Sequence, residues 1–113
     1  MPHFIIHLSQ NLISSQTPEK VMEHIHDIAV ESDLFNVDFI KVRILPFEHY
    51  LRAGKKQDFL NIFAEIMGGR TTEQKATLSK NMVAAMKNLF PDVPMAMSIR
   101  DIEKATYCNH NMV

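Results

Sequence analysis

Asp58-Phe59-Leu60-Asn61-Ile62-Phe63-Ala64-Glu65-Ile66-Met67, running into Gly68-Gly69-Arg70-Thr71-Thr72-Glu73-Gln74, decides the fold. The first ten residues alternate. Leu60, Ile62, Ala64 and Ile66 fall on one side; Phe59, Asn61, Phe63 and Glu65 fall on the other, as on a strand with one buried face. The paired glycines predict a tight turn. Thr71 or Thr72 then opens a helix, and Thr71 with Gln74 three residues on fits a capping box. Leu78, Met82, Ala85, Met86 and Leu89 recur at helical spacing, and Phe90-Pro91-Asp92 ends the run. Met95–Ile102 reads as a final strand before a C-terminal tail.

Upstream, the same order appears again. His3–Leu8 is a strand, and the Ser/Gln/Asn residues between Ser9 and Gln16 break its pattern. Thr17-Pro18-Glu19 starts a helix: a threonine cap, proline at the first helical position, then an acid facing the positive helix end. Val21, Ile25, Ile28 and Ala29 form its apolar stripe, and Asp33–Asn36 is a turn. Asp38–Phe47 alternates, with Ile40, Val42 and Ile44 opposite Phe39, Lys41, Arg43 and Leu45. Pro46 weakens pairing near its end. Ala53–Gln57 is a polar connection. The chain is thus two copies of strand, helix, strand, about 1–52 and 57–105, in a single domain spanning 1–113. The expected class is α+β, a four-stranded sheet with both helices on one face. Right-handed crossovers make each unit's two strands parallel.

The other sheet face presents a conflict. It combines Phe39, Leu45, Phe59 and Phe63 with Lys41, Arg43, Asn61 and Glu65. A wet face disfavours so large an apolar patch, and a sealed core disfavours unpaired charge. Packing against further copies of the chain, with cross-strand pairs such as Arg43–Glu65, satisfies both demands.

The bulk numbers narrow the function classes. The 113 residues carry a net charge of −1, so nothing draws the chain to nucleic acid or a membrane surface. The apolar runs are too short to span a bilayer, and a secretory leader pattern is absent. The single cysteine, Cys108, reads as a passive thiol in a reducing cytoplasm. Eight methionines without tryptophan suggest adaptable core filler. The histidines do not suggest a metal centre. His3 and His7 lie about 13 Å apart along one strand face; His24 and His26 point to different sides of a helix; His49 and His110 lack partner spacing. Lys55-Lys56 is a solvated turn.

The chemistry-bearing feature is the chain's head. In Met1-Pro2-His3-Phe4-Ile5-Ile6-His7, a small second residue lets the initiator methionine be trimmed. Trimming leaves Pro2 with a free secondary amine on a ring-locked backbone. Burial and nearby cations lower the pKa of such an amine and make it a base at neutral pH. The alternative is that Pro2 merely suits a strand edge.

These residues resemble the tautomerase superfamily, and within it the 5-carboxymethyl-2-hydroxymuconate isomerases. The resemblance rests on Met1-Pro2-His3-Phe4-Ile5, the doubled β-α-β layout and the tail Tyr107-Cys108-Asn109-His110-Asn111-Met112-Val113. The Gly69-Arg70-Thr71-Thr72 stretch is similar to the glycine–arginine turn of the half-length relative, 4-oxalocrotonate tautomerase. The resemblance implies a homotrimer with sheets inward, and an isomerase that needs neither metal nor cofactor. It implies Pro2 as the base, then acid, that moves a proton in a small unsaturated keto-diacid. It implies substrate binding by Arg70 and by cations on the second strand, Lys41 and Arg43. The isomerase pattern there is Arg-x-Arg and this chain reads Lys41-Val42-Arg43; lysine lacks the planar fork that fits a carboxylate. Arg100 is a weaker candidate. Phenylpyruvate-type tautomerase and dehalogenase activities remain alternatives, with Phe39 and Phe63 lining a pocket for a ring, as does a non-catalytic oligomer.

Overall fold

The computed structural model describes residues 1–113. Its main elements are β1 (His3–Ser9), α1 (Leu12–Ser15), α2 (Pro18–Glu31), β2 (Lys41–Phe47), β3 (Leu60–Met67), α3 (Thr72–Leu89) and β4 (Met95–Ile102). The strand order is β2-β1-β3-β4. Strands β1 and β2 are parallel, as are β3 and β4, and β1 and β3 run antiparallel at the centre. The expected α+β class and doubled β-α-β layout are both present.

Both long helices start as the sequence indicates. Thr17 accepts a hydrogen bond from the Lys20 amide, with Pro18 in the first turn. Thr71 and Gln74 form a reciprocal capping box. Each helix lays its apolar stripe on the same sheet face. Val21, Ile25 and Ala29 from α2 join Leu78, Met82 and Met86 from α3 over Phe4, Ile6, Leu8, Leu60, Ile62 and Ala64. Burying such side chains stabilises a fold by about 1.5–3 kcal/mol each, so this single layer carries most of the driving force.

Four details differ from the sequence reading. The second strand begins at Lys41, not Asp38, because the Asn36 side chain accepts from the Asp38 amide and winds Val37–Phe39 into a 3₁₀ turn. The third begins at Leu60, not Asp58; Phe59 instead exchanges hydrogen bonds with Ser9 at the end of the ladder. A one-turn helix, α1, occupies the expected break after β1. The Arg43–Glu65 pair does not form, because β1 lies between their strands. Arg43 bonds His3 instead, and the ion pair present is Lys75–Asp101 at 3.1 Å.

The connection between β2 and β3 contains a two-residue hairpin turn. Arg52 and Lys55 exchange both backbone hydrogen bonds. Ala53 and Gly54 take φ of 53° and 73°, the paired left-handed geometry that matches strand twist and favours glycine.

The helix-free sheet face carries Phe39, Leu45 and Phe63 at 52%, 50% and 40% exposure. His7 packs against Phe47 and Phe63, with ring centroids 5.0 and 4.9 Å away. Beside these rings a polar row, Lys41–His3–Glu65–Arg100, crosses all four strands in register. No helix is long and apolar enough to cross a membrane.

Candidate functional site

The topology gathers distant parts of the chain at one end of the sheet. Strand β1 begins there, parallel β2 begins there, and antiparallel β3 ends there. Strand β4 also ends there, so the tail after Ile102 starts beside them. The Lys41 amide donates to the Pro2 carbonyl at 3.1 Å, fixing the two strand starts together.

A cleft of about 380 Å³ opens at this end. It is lined by Met1, His3, Phe39, Lys41 and Met67, together with Tyr107, Asn109, His110 and Asn111 of the tail. Pro2 points its ring the other way. It shares the parity of Phe4, Ile6 and Leu8 and is buried with them. The ring is buried while Met1, on its N-terminal side, lines the cleft.

The electrostatics of the cleft disfavour protonated amines. The amino group of Met1 has its pKa lowered, first by burial, then by the charge of Lys41 and a hydrogen bond from that side chain. The pKa of His3 is lowered too, first by burial, then by Arg43, Lys41 and the amino terminus, with Glu65 pulling the other way. Arg43 Nη1 donates to His3 Nδ1 at 3.0 Å. Lys41 Nζ also donates to the Phe39 carbonyl at 3.2 Å.

The sequence-predicted cations do not all converge. Lys41 lines the cleft, and Arg43 stands behind His3. Arg70 does not line it. Its guanidinium donates to the Met67 carbonyl at 3.2 Å and to the Leu34 carbonyl, and lies 5.2 Å from the centre of the Phe35 ring. Arg100 lines a separate, smaller hollow with Ile5, His7, Phe63 and Glu65. The two phenylalanines expected to share a pocket are split, Phe39 in the cleft and Phe63 in that hollow. A wider depression of about 740 Å³ lies at the far end of β1, between Gln10–Ser14 and the Phe47–Asp58 connection. It contains none of these candidates. No three histidine, cysteine, aspartate or glutamate side chains converge to hold a metal ion.

Sequence reasoning missed His3 as a member of this site, weighing it only as a metal ligand. It also missed Tyr107, Asn109 and Asn111. The tail has no periodicity to place it. Its one local signal is a run of asparagines and a tyrosine after the last strand, uncharged donors suited to lining a polar cleft.

The architecture is shared with solved structures of the tautomerase superfamily. A 5-carboxymethyl-2-hydroxymuconate isomerase from Deinococcus radiodurans R1 superposes with a TM-score of 0.79 at 19% identity, covering 96% of this chain and 87% of that one. N1, a member of the cis-3-chloroacrylic acid dehalogenase family, gives 0.81 at 15% identity over 96% and 80%. A fused 4-OT symmetric trimer gives 0.75 at 17% identity over 98% and 94%. No curated protein sequence matches the chain. The family model for 5-carboxymethyl-2-hydroxymuconate isomerase matches residues 2–113, and the chain belongs to that family. Its family is thus one of isomerases.

Proposed function

We propose that this chain is a cytoplasmic, cofactor-independent isomerase of a small unsaturated 2-hydroxy or 2-keto (di)carboxylic acid, of the 5-carboxymethyl-2-hydroxymuconate type, in aromatic breakdown. Its base is the amine of Pro2, freed when Met1 is removed. One observation carries the reading: the amino group at the head of β1 lies beside Lys41, in a cleft that lowers its pKa through burial and positive charge. A prolyl amine exposed at the adjoining atom experiences the same two influences and rests unprotonated near neutral pH.

The step is a proton transfer. The Pro2 nitrogen takes the proton of the substrate's 2-hydroxyl; the O–H bond breaks, an N–H bond forms, and negative charge spreads over the dienolate. The prolinium then returns the proton to a distant carbon of the conjugated system. A C–H bond forms and the ketone is restored, with no change of oxidation state. Lys41, with Arg43 behind it, attracts the carboxylates and stabilises the dienolate. Arg70, held by two backbone carbonyls, is assigned a positioning part: it ties the turn after α2 to the end of β3, behind the head of β1.

A homotrimer supports the same reading. The exposed Phe39, Leu45 and Phe63 call for cover, and the fused 4-OT structure of the same fold is a trimer. A second reading, an enol bearing an aromatic ring, draws on Phe39 and Tyr107 in the cleft. Intact-mass measurement of purified protein, followed by absorbance-monitored ketonisation of 2-hydroxymuconate beside phenylenolpyruvate, tests both. The expected result is loss of the Met1 mass, preference for the dicarboxylate, and a fall of 100-fold or more for Pro2→Ala, the low end of what a general base contributes at about 10²–10⁴-fold. Undiminished turnover by Pro2→Ala would remove the proposal.

A further inference from the structure

Within that reading, we infer that His3 is a second catalytic residue: Arg43 locks its imidazole in the Nε2–H form, and that N–H donates to the substrate's C2 oxygen as the oxygen loses its proton. The tautomer follows from one contact. Arg43 Nη1 lies 3.0 Å from His3 Nδ1. Guanidinium is always a donor and never an acceptor, so Nδ1 must accept with its lone pair. A neutral imidazole then carries its proton on Nε2.

Placement supplies the rest. His3 follows Pro2 directly and lines the same cleft. Its side chain stands in register with Lys41 on one side and Glu65 on the other. Nδ1 is engaged by Arg43, which stands outside the cleft lining, and Nε2 has no partner within the chain. The open donor edge is thus available to a ligand in the cleft.

The surroundings keep the ring neutral. Arg43 and Lys41 from β2 and the amine at the head of β1 face it, with Glu65 from β3 the opposing charge; Tyr107 and His110 of the tail lie across the cleft. Burial, Arg43 and Lys41 outweigh Glu65 and hold the imidazolium form down. A neutral N–H donor suits a dienolate. It stabilises the oxygen's developing charge without surrendering a proton to it, so the proton stays with the prolinium for delivery to carbon. Arg43 acts through His3 and is a positioning residue for it.

The tautomer is read first, by ¹⁵N-resolved NMR of the histidine rings at pH 7 in the full-length trimmed protein. Expected is Nε2–H alone for His3, and a mixture with Nδ1–H in Arg43→Ala. Turnover of 2-hydroxymuconate is read next. His3→Leu should lower kcat by 10²–10³-fold, the effect of losing one donor to a developing oxyanion, with KM changed only a few-fold. His3→Gln, which places an amide N–H at similar reach, should recover most of that loss. Finally, 2-hydroxymuconate is titrated into Pro2→Ala, which on the proposed reading turns the compound over at least 100-fold more slowly, and should move the His3 Nε2 resonance. An Nδ1–H or imidazolium His3, full kcat in His3→Leu, or an unmoved Nε2 resonance on saturation each overturns the inference. A fully active Pro2→Ala would instead sink the proline reading, and the NMR results would still decide the tautomer and the contact.

Discussion

Replacing Arg70 by alanine should destabilise the fold more than it weakens substrate binding. The guanidinium bonds the Leu34 and Met67 carbonyls. Leu34 lies in the turn after α2 and Met67 at the end of β3, so one side chain closes a contact between segments more than thirty residues apart. The same group covers the Phe35 ring at 5.2 Å, and Phe35 meets Phe4 of the core edge-on at 5.8 Å. Hydrogen bonds from a charged donor contribute about 1.5–3 kcal/mol each. Here the carbonyls can rehydrate when the donor is lost, so roughly 1 kcal/mol apiece is the fitting net value. The cation–ring contact adds about 0.5–1 kcal/mol. Together Arg70→Ala should lose about 2–3 kcal/mol, which for a chain near this length lowers Tm by roughly 8–12 °C. Arg70→Lys keeps the charge over Phe35 but only one carbonyl bond, and should lose about half as much. Calorimetric melts at one fixed protein concentration measure this, since self-association makes Tm concentration-dependent. KM for the dicarboxylate dienol is read in parallel and should change by less than tenfold. A Tm within 2 °C of the parent with KM raised a hundredfold would refute the reasoning and return Arg70 to the substrate.

Two further outcomes follow from the same contacts. On the proposed reading the amine must be unprotonated to act as base, so kcat/KM falls as pH drops through its pKa; burial first, then the charge and hydrogen bond of Lys41, lower the pKa of the Met1 amine, and the same Lys41 charge acting on the Pro2 amine predicts that Lys41→Met raises its pKa and moves the acid limb to higher pH, measured as the normalised kcat/KM profile of the trimmed enzyme. Thr71→Ala removes half of the α3 capping box and should lower stability by about 1 kcal/mol, read by urea denaturation, with kcat unchanged because Thr71 lies outside the cleft.

The strands and long helices were legible because two periodicities state them outright. Leu60-Asn61-Ile62-Phe63-Ala64-Glu65-Ile66-Met67 buries every second residue as its alternation requires, and Thr71 with Gln74 marks the start of α3 from both sides. What failed depended on information that no local window contains. Asp38-Phe39-Ile40 continues the alternation of β2, yet the Asn36 side chain satisfies the Asp38 amide and the local turn wins over the strand. Arg43 and Glu65 share a sheet face, but whether they touch depends on strand order; with β1 between them, Arg43 meets His3. Arg70 shows the same limit at the site. Its Gly-Arg setting marks it for attention, while only the fold reveals that the Leu34 and Met67 carbonyls hold its guanidinium.

The two sheet faces divide the work of this chain, and the site lies where they meet. On the helix side, the rings and branched chains from Phe4 to Leu8 anchor β1 so firmly that the Pro2 ring is fixed as part of the core. On the open side, the neighbouring residue His3 begins a row of charged and polar groups across all four strands. Strand alternation forces this arrangement: a residue buried at position 2 commits position 3 to the opposite face. On the proposed reading an amine carried by Pro2 is rigid without being sealed; His3, next in sequence, and Lys41, in register with His3, stand on the cleft side. A base needs that combination. Burial alone would lower its pKa but hide it from substrate, and exposure alone would leave it protonated. The start of an anchored strand, beside a second strand that begins with lysine, is the arrangement by which the proposed base would meet both requirements without any loop having to close.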